Sequence, residues 1–313
     1  MSDAVAEPNA DRPAAPPRGR RTARAGLGAT ASAYAYLLPT LVGLALFSAG
    51  AVLASFVMSF AEYDIVTPPV FVGLKNYVDL FSAPIVQTVI KNTFYYTLGY
   101  VPLNMVVSLG LALLANQKLR GVTLFRSIFF TPTVTSTVAI AMVFAWLYQP
   151  QFGLINYLLN LVGIRGPMWL SSPQWAMPAL IILGVYRSAG YHMVIFLAGL
   201  QDIPQELYEA ARIDGAGAWA RLRHVTLPLI SPTTFFVLVM SIIGSFQVFE
   251  VTYVLTRGGP AYSTLTLSFY IFQNAFEWFH MGYAAALSYV LFAIIMAVTL
   301  VHLWSQRHWV HYR

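Results

Sequence analysis

The chain has 313 residues, of which 58% are hydrophobic and 10% charged; a soluble globular domain carries about a quarter charged residues, so that class is excluded and a lipid bilayer is implied. Lys and Arg number 18 against 12 Asp and Glu, yet the excess is spread along loops rather than gathered in a patch, which argues against nucleic acid as a partner. Cysteine is absent, which excludes disulfides, thiolate metal sites and a cysteine nucleophile within the chain.

Residues 1–33 are rich in Ala, Pro and Arg and lack apolar periodicity, the pattern of a disordered basic tail. A cleaved signal peptide is the competing reading, but the first apolar run is too long for a signal core and begins after a long lead. Six runs then approach or exceed the roughly 20 apolar residues that about 30 Å of hydrocarbon requires. They are Tyr34–Phe60, Phe94–Asn116, Ser127–Gln149, Met177–Leu200, Thr233–Leu255 and Ala284–Trp304. Backbone groups in lipid must pair within their own segment, so each run predicts a helix, and the alternating pattern of a membrane barrel is not evident. The predicted fold class is all-α and polytopic, with a transmembrane domain over 34–304 and a short tail at 305–313. Between spans, FVGLKNYVDLF from Phe71 and FGLINYLLNLVGI from Phe152 have the composition of short amphipathic helices lying at an interface.

Lys and Arg accumulate on the cytoplasmic side of membrane proteins. One set of loops holds Arg12, Arg18, Arg20, Arg21 and Arg24, then Lys118, Arg120 and Arg126, then Arg212, Arg221 and Arg223, then Arg307 and Arg313. The other set holds Lys75, Lys91, Arg165 and Arg257. Six spans with both termini cytoplasmic satisfy this distribution, and they put residues 201–232 in the cytoplasm.

Within that loop, Glu206–Ile213 and Ala218–Val225 consist mostly of helix formers, separated by Asp214, Gly215, Ala216 and Gly217. Gly215 stands where a positive φ lets one short helix end and another begin at an angle. Pro228 and Pro232 close the segment ahead of the next span, and the small Ala210 and Ala211 leave a shallow surface that another protein can approach. On these residues alone, an amphipathic linker resting on lipid headgroups is an equal reading.

The spacing shifts that balance. EAA, three residues, Gly, nine residues, a β-branched residue, one residue and LeuPro resembles the EAA signature of bacterial ATP-binding cassette (ABC) importer permeases. Glu209, Ala210, Ala211, Gly215, Leu227 and Pro228 fall on the matching positions, with Val225 where isoleucine is more usual. FLAGLQDIPQELYEAARIDGA from Phe196, FVGLKNYVDLF from Phe71, TPTV from Thr131 and VLTRGGPAYSTLTLSFYIFQNAF from Val254 resemble the maltose and glycerol-phosphate type, carbohydrate branch. The resemblance implies the ABC type I importer permease fold in a bacterial cytoplasmic membrane. It also implies a second homologous permease, two cytoplasmic ATPases, an extracytoplasmic solute-binding protein and a sugar or polyol substrate. ATP and Mg would belong to the ATPases, because this chain has no GxxxxGK[ST] loop. Glu209 would then contact the ATPase, Gly215 make the turn, and Asp214 cap the following short helix.

Charges are expensive inside a bilayer, so Arg187 and Glu250 are the first candidates for a substrate pathway. Tyr191 lies one turn from Arg187 on the fourth span, and Gln247 lies three residues from Glu250 on the fifth. Arg beside aromatic rings can bond sugar hydroxyls while the rings cover apolar sugar faces. The structural alternative is an Arg187–Glu250 ion pair that locks two helices. Asn104, with Pro102, and the run Thr131–Thr137 are further candidates for the cavity wall, although Thr and Ser often bond their own helix backbone. His308 and His311 have metal-compatible spacing but read more readily as part of a solvated tail. An ion-coupled secondary transporter would need titratable relays in the membrane, where Glu250 is nearly alone, and an enzyme would need a catalytic cluster that the sequence lacks.

Overall fold

The structure is a computed structural model that describes residues 27–117 and 120–310; of the sequence-predicted tail, 1–26 lies outside the described residues, as does His311. The chain divides at Leu53 into a short first unit and a large second unit, Ala54–Arg313. Helix α1 (Leu27–Gly43) passes through a π-helical stretch, Leu44–Gly50, into α2 (Ala51–Met58), within which that division falls. Helix thus begins seven residues before the predicted span, inside the stretch read as tail.

The second unit opens with a two-stranded antiparallel pair, β1 (Ala61–Glu62) and β2 (Val70–Phe71), and with α3 (Lys75–Ser82). Helix α4 (Pro84–Ala115) follows, starting on a proline that costs no hydrogen bond at that position. Its last turn is closed by Arg126, whose Nη2 donates to the Ala115 carbonyl at 2.8 Å. Next come α5 (Val122–Val134), α6 (Thr137–Leu147), the short α7 (Leu154–Leu161) and α8 (Pro173–Gln201). Helices α3 and α7 form in the two segments predicted as short amphipathic helices.

Hydrophobicity alone does not drive helices together in lipid, so close approach and polar contacts must hold them. Helix α8 is the most enclosed of the long helices and supplies much of the main core, where Met177, Leu180, Leu183 and Val185 meet Tyr96, Ile140 and Phe246. Its approach to α5 is so close that a Cβ at Gly190 would overlap the Phe129 carbonyl oxygen.

Two predicted spans are broken. Helices α5 and α6 meet at 100°, with Thr135 and Ser136 in extended backbone between them. Pro132 lacks an N–H, and Thr131 and Thr135 donate their hydroxyls to the Ser127 and Thr131 carbonyls at 2.8 and 2.9 Å, a combination that bends helices. Just ahead of the predicted fifth span, α10 (Ala218–Arg221), a π-helical stretch Leu222–Thr226 and α11 (Leu227–Leu229) meet α12 (Ser231–Phe246) at 69°; the span itself breaks further on. Helix α12 stops at Phe246, nine residues short of the predicted end, and α13 (Glu250–Leu255) begins anew. Four described helices are long and apolar enough to cross a membrane, or six if each bent pair is one span.

A turn with a cis Gly259–Pro260 bond leads to α14 (Leu267–Phe272), a π-helical stretch Gln273–Glu277, and α15 (Met281–Ser305). Asn92 fastens this turn to α4 by donating to the Tyr262 and Leu265 carbonyls, and the Leu267 amide donates to Thr93 Oγ1 at 2.9 Å.

Candidate functional site

The first candidate site is the loop after α8. Helix α9 (Gln205–Ile213) carries Glu206 in its first turn and Arg212 in its last, both matched to the helix dipole. Its end is a Schellman turn: the Gly215 amide donates to the Arg212 carbonyl at 3.0 Å, and the Ala216 amide to the Ala211 carbonyl at 2.8 Å. Gly215 has φ +78° with no atom within 4 Å of a would-be Cβ, so left-handed backbone, and not space, is what requires glycine there. Arg221 Nη1 donates to the Ala216 carbonyl at 2.9 Å and steadies the far side of the turn.

Glu209, Ala210, Asp214 and Leu227 are exposed, while Ala211 and Pro228 are partly covered. Asp214 does not cap the next helix: it ends α9, and Gly217 occupies the N-cap of α10 with no side-chain capping bond. Its carboxylate comes too early in the turn to reach the amides of that helix. Sequence reasoning missed Ile213 and Trp219, which are 87% and 69% exposed on the same segment. Large apolar side chains this open on a charged loop mark a surface that meets a protein or a membrane. The signal was available as apolar residues among polar ones, with no core for them to join.

The segment is anchored from below. Tyr208 Oη lies 3.0 Å from Thr226 Oγ1, tying α9 to the return stretch, and Tyr208 packs against the core cluster that contains Phe196, Leu200, Ile203 and Ile230. Through Tyr208, α9 thus shares a core cluster with residues of α8 and α12.

The second candidate site is a cleft of about 340 Å³ between α4, α8 and the α12–α13 break. Tyr96, Tyr100, Arg187, Ser188, Gln247 and Glu250 line it. The two tyrosine rings stack at 5.5 Å with 10° between planes, forming a flat apolar wall. Arg187 Nη2 is 3.8 Å from Glu250 Oε2, and the side chains are 42% and 54% exposed. That distance and exposure make a weak pair, and the buried Arg187 Nε has no hydrogen-bond partner. Donors, acceptors and a ring face thus converge on a space of ligand size.

Of the predicted pathway residues, Arg187, Gln247 and Glu250 meet at this cleft. Gln247 and Glu250 do so without sharing a helix turn, because they flank the break between α12 and α13. Tyr191 lies outside the lining, half exposed, with its ring centroid 5.5 Å from that of His192. Asn104 is fully buried behind the cleft. Its Nδ2 donates to His192 Nδ1 at 2.9 Å and Ser241 Oγ at 3.1 Å, and its Oδ1 accepts from Ser188 at 3.1 Å. It joins three helices and touches the cleft only through Ser188, which also accepts from Tyr100 Oη at 2.7 Å. Tyr96, Tyr100 and Ser188 were missed; the four-residue spacing of the tyrosines on an apolar span was the available signal. Among the described residues no cluster of His, Asp and Glu has metal-ligand geometry.

Comparison with known proteins is consistent with this geometry. The family described as "Binding-protein-dependent transport system inner membrane component" matches residues 104–309. The chain is 37% identical to the Probable ABC transporter permease protein YesP of Bacillus subtilis, over 89% of this chain and 91% of that protein. It is 38% identical to the Sulfoquinovosyl glycerol transport system permease protein SmoG of Agrobacterium fabrum, over 75% of this chain and 77% of that protein. Among solved structures, a chain of a bacterial ABC transporter involved in the import of the acidic polysaccharide alginate superposes with a TM-score of 0.78. The two are 25% identical, over 88% of this chain and 95% of that one.

Proposed function

The chain belongs to the family of binding-protein-dependent transport system inner membrane components, and from that membership we propose that it is one permease subunit of an ATP-driven importer. The substrate is a sugar or related polyol, and translocation is by alternating access. The complete machine comprises this chain, a second homologous permease, two cytoplasmic ABC ATPases and an extracytoplasmic solute-binding protein. It sits in the bacterial cytoplasmic membrane with both termini of this chain inside, a reading supported by the loop distribution of Lys and Arg. ATP and Mg are held by the ATPases; this chain's part is mechanical.

The observation that carries the reading is the Schellman-capped segment, which presents Glu209 with Ile213 and Trp219 at the surface while Tyr208 roots it in the core. ATPase closure moves α9 and α10, and the Tyr208 and Thr226 contacts pass that movement to α8 and α12. These two helices carry Arg187 and the Gln247–Glu250 break, so the cleft changes shape as the docking segment moves. The stacked tyrosines and the loosely paired Arg187 and Glu250 suit a neutral polyol. The names of relatives that carry sugar derivatives, SmoG among them, support the same class. An ion-coupled secondary transporter is not favoured by any relative described above.

The test is gentle purification of the tagged chain from its native membrane. An ABC ATPase and a second permease should come with it and be lost when Glu209 is changed to Lys and Trp219 to Asp. Recovery of the chain alone, moving solute in liposomes without ATP, would overturn the assignment.

A further inference from the structure

A second and larger cavity, of about 960 Å³, lies at the other end of α4 from the docking segment. Helix α4 has 32 residues and so separates the two by about 48 Å. Two segments wall the cavity, residues 62–79 and residues 270–283.

Hydrogen bonds brace the first wall and join it to the second. Asn76 Nδ2 donates to the Ser59 and Ala61 carbonyls, both at 2.9 Å, and Lys75 Nζ is 3.2 Å from Glu62 Oε2. The Met281 amide donates to the Tyr63 carbonyl at 2.9 Å, and a Cβ at Gly282 would overlap the Ala61 carbonyl oxygen. A site held this way needs little ordering when a ligand arrives.

Its lining combines rings with carboxylates. Tyr63, Trp278, Phe279 and Tyr283 offer aromatic surface. Phe279 is held at φ +58°, a conformation that bulky residues rarely adopt, and its ring and that of Trp278 stay half exposed. The acids Glu62, Asp64 and Asp79 face one ammonium, that of Lys75. The three hydrogen bonds that Asp64 accepts from Val66 and Thr67 all fall on Oδ1, which leaves Oδ2 as an acceptor.

We propose that this cavity binds a neutral di- or oligosaccharide, as an antechamber to the membrane cleft. Rings cover the C–H faces of a pyranose, carboxylates accept its hydroxyl hydrogens, and the excess of acid repels sugar acids and sugar phosphates. The cavity is at the upper end of the range that ligand pockets span, about 300–1,000 Å³, and has room for more than one ring. The proposal rests on the sugar-importer reading.

The experiment uses the assembled complex in lipid nanodiscs without the solute-binding protein. Lactose, maltose and trehalose are the probes, and saturation-transfer NMR gives the affinity. At least one probe should bind, and binding should weaken about tenfold in both Trp278→Leu and Asp79→Asn, be restored by Trp278→Tyr, and resist competition by galacturonate. Affinity unchanged in both variants, or no binding of any probe, would overturn the antechamber. ATP-dependent uptake by the wild-type complex in proteoliposomes, with the solute-binding protein added, separates the two readings. Uptake present with unaltered binding in the variants refutes the antechamber alone, whereas absence of ATP-dependent uptake of every probe removes the importer reading and this proposal with it.

Discussion

The same substitution made two residues apart should have opposite effects. Gly215 and Gly217 both have nothing within 4 Å of a would-be Cβ, but Gly215 has φ +78° while Gly217 has φ −66° and ψ 173°. Serine at 215 must adopt left-handed backbone, at a cost of about 1–2 kcal/mol, partly offset by the reduced freedom of the unfolded loop. A net loss of about 1 kcal/mol opens the turn roughly fivefold more often. Serine at 217 instead occupies the N-cap of α10 in extended backbone, where it matches or exceeds glycine by a few tenths of a kcal/mol. Hydrogen exchange over residues 209–216 of the assembled complex should therefore rise about fivefold in Gly215→Ser and not in Gly217→Ser. Sugar moved per ATP should fall in the first alone, with melting of the spans unchanged in both. Asparagine at 215, which tolerates left-handed backbone, should recover most of the loss. Equal behaviour of the two serine variants would refute the role assigned to the turn.

Gly190→Ala places a methyl group against the Phe129 carbonyl, an atom fixed by its own helix, so the assembled complex should lose about 1–3 kcal/mol and melt earlier; unchanged melting would contradict the α5–α8 packing. Glu250→Gln removes a half-exposed partner 3.8 Å from Arg187, worth about 0–1 kcal/mol, so melting should barely move while the KM for sugar uptake changes. A large loss of stability with unaltered uptake would restore the helix-locking ion pair. The Asp64 carboxyl is held below its usual 3.8, chiefly by the Thr67 amide and then by the Thr67 hydroxyl. Its folded value lies below the unfolded one, so its support for the 64–67 turn is complete above pH 3.8 and fades as pH falls through the lower, folded value. Exchange in that turn, corrected for intrinsic rate, should stay flat from about pH 8 to about pH 5 and rise below 3.8, and Asp64→Ala should raise it throughout.

The turn at Gly215 was legible in the sequence because its signals are local. Helix formers on both sides of Asp214–Gly217 confine the positive φ to that stretch, and Gly215 rather than Gly217 takes it. The breaks in the spans were harder to see, since hydropathy sums composition and the apolar run continues through Phe246 to Leu255 while the helix does not. At the third span, Pro132 and the neighbouring hydroxyls were visible, but their joint effect on the backbone depends on which carbonyls they reach. Asn104 shows the limit most plainly. A polar residue in an apolar span announces that it has a partner, and its partners Ser188, His192 and Ser241 lie 84, 88 and 137 residues away. Pairing at that separation is decided by helix packing, which a single sequence does not display.

In the proposed function this chain passes ATP-driven movement to a sugar pathway. That role is tested most directly by uptake of labelled sugar into proteoliposomes that hold this chain, its co-purified permease and ATPases, and the solute-binding protein. Uptake should require ATP inside the vesicle face that binds the ATPases, and should stop in Gly215→Val while ATP hydrolysis continues. Uptake that proceeds without ATP, or that is indifferent to Gly215→Val, would contradict the account.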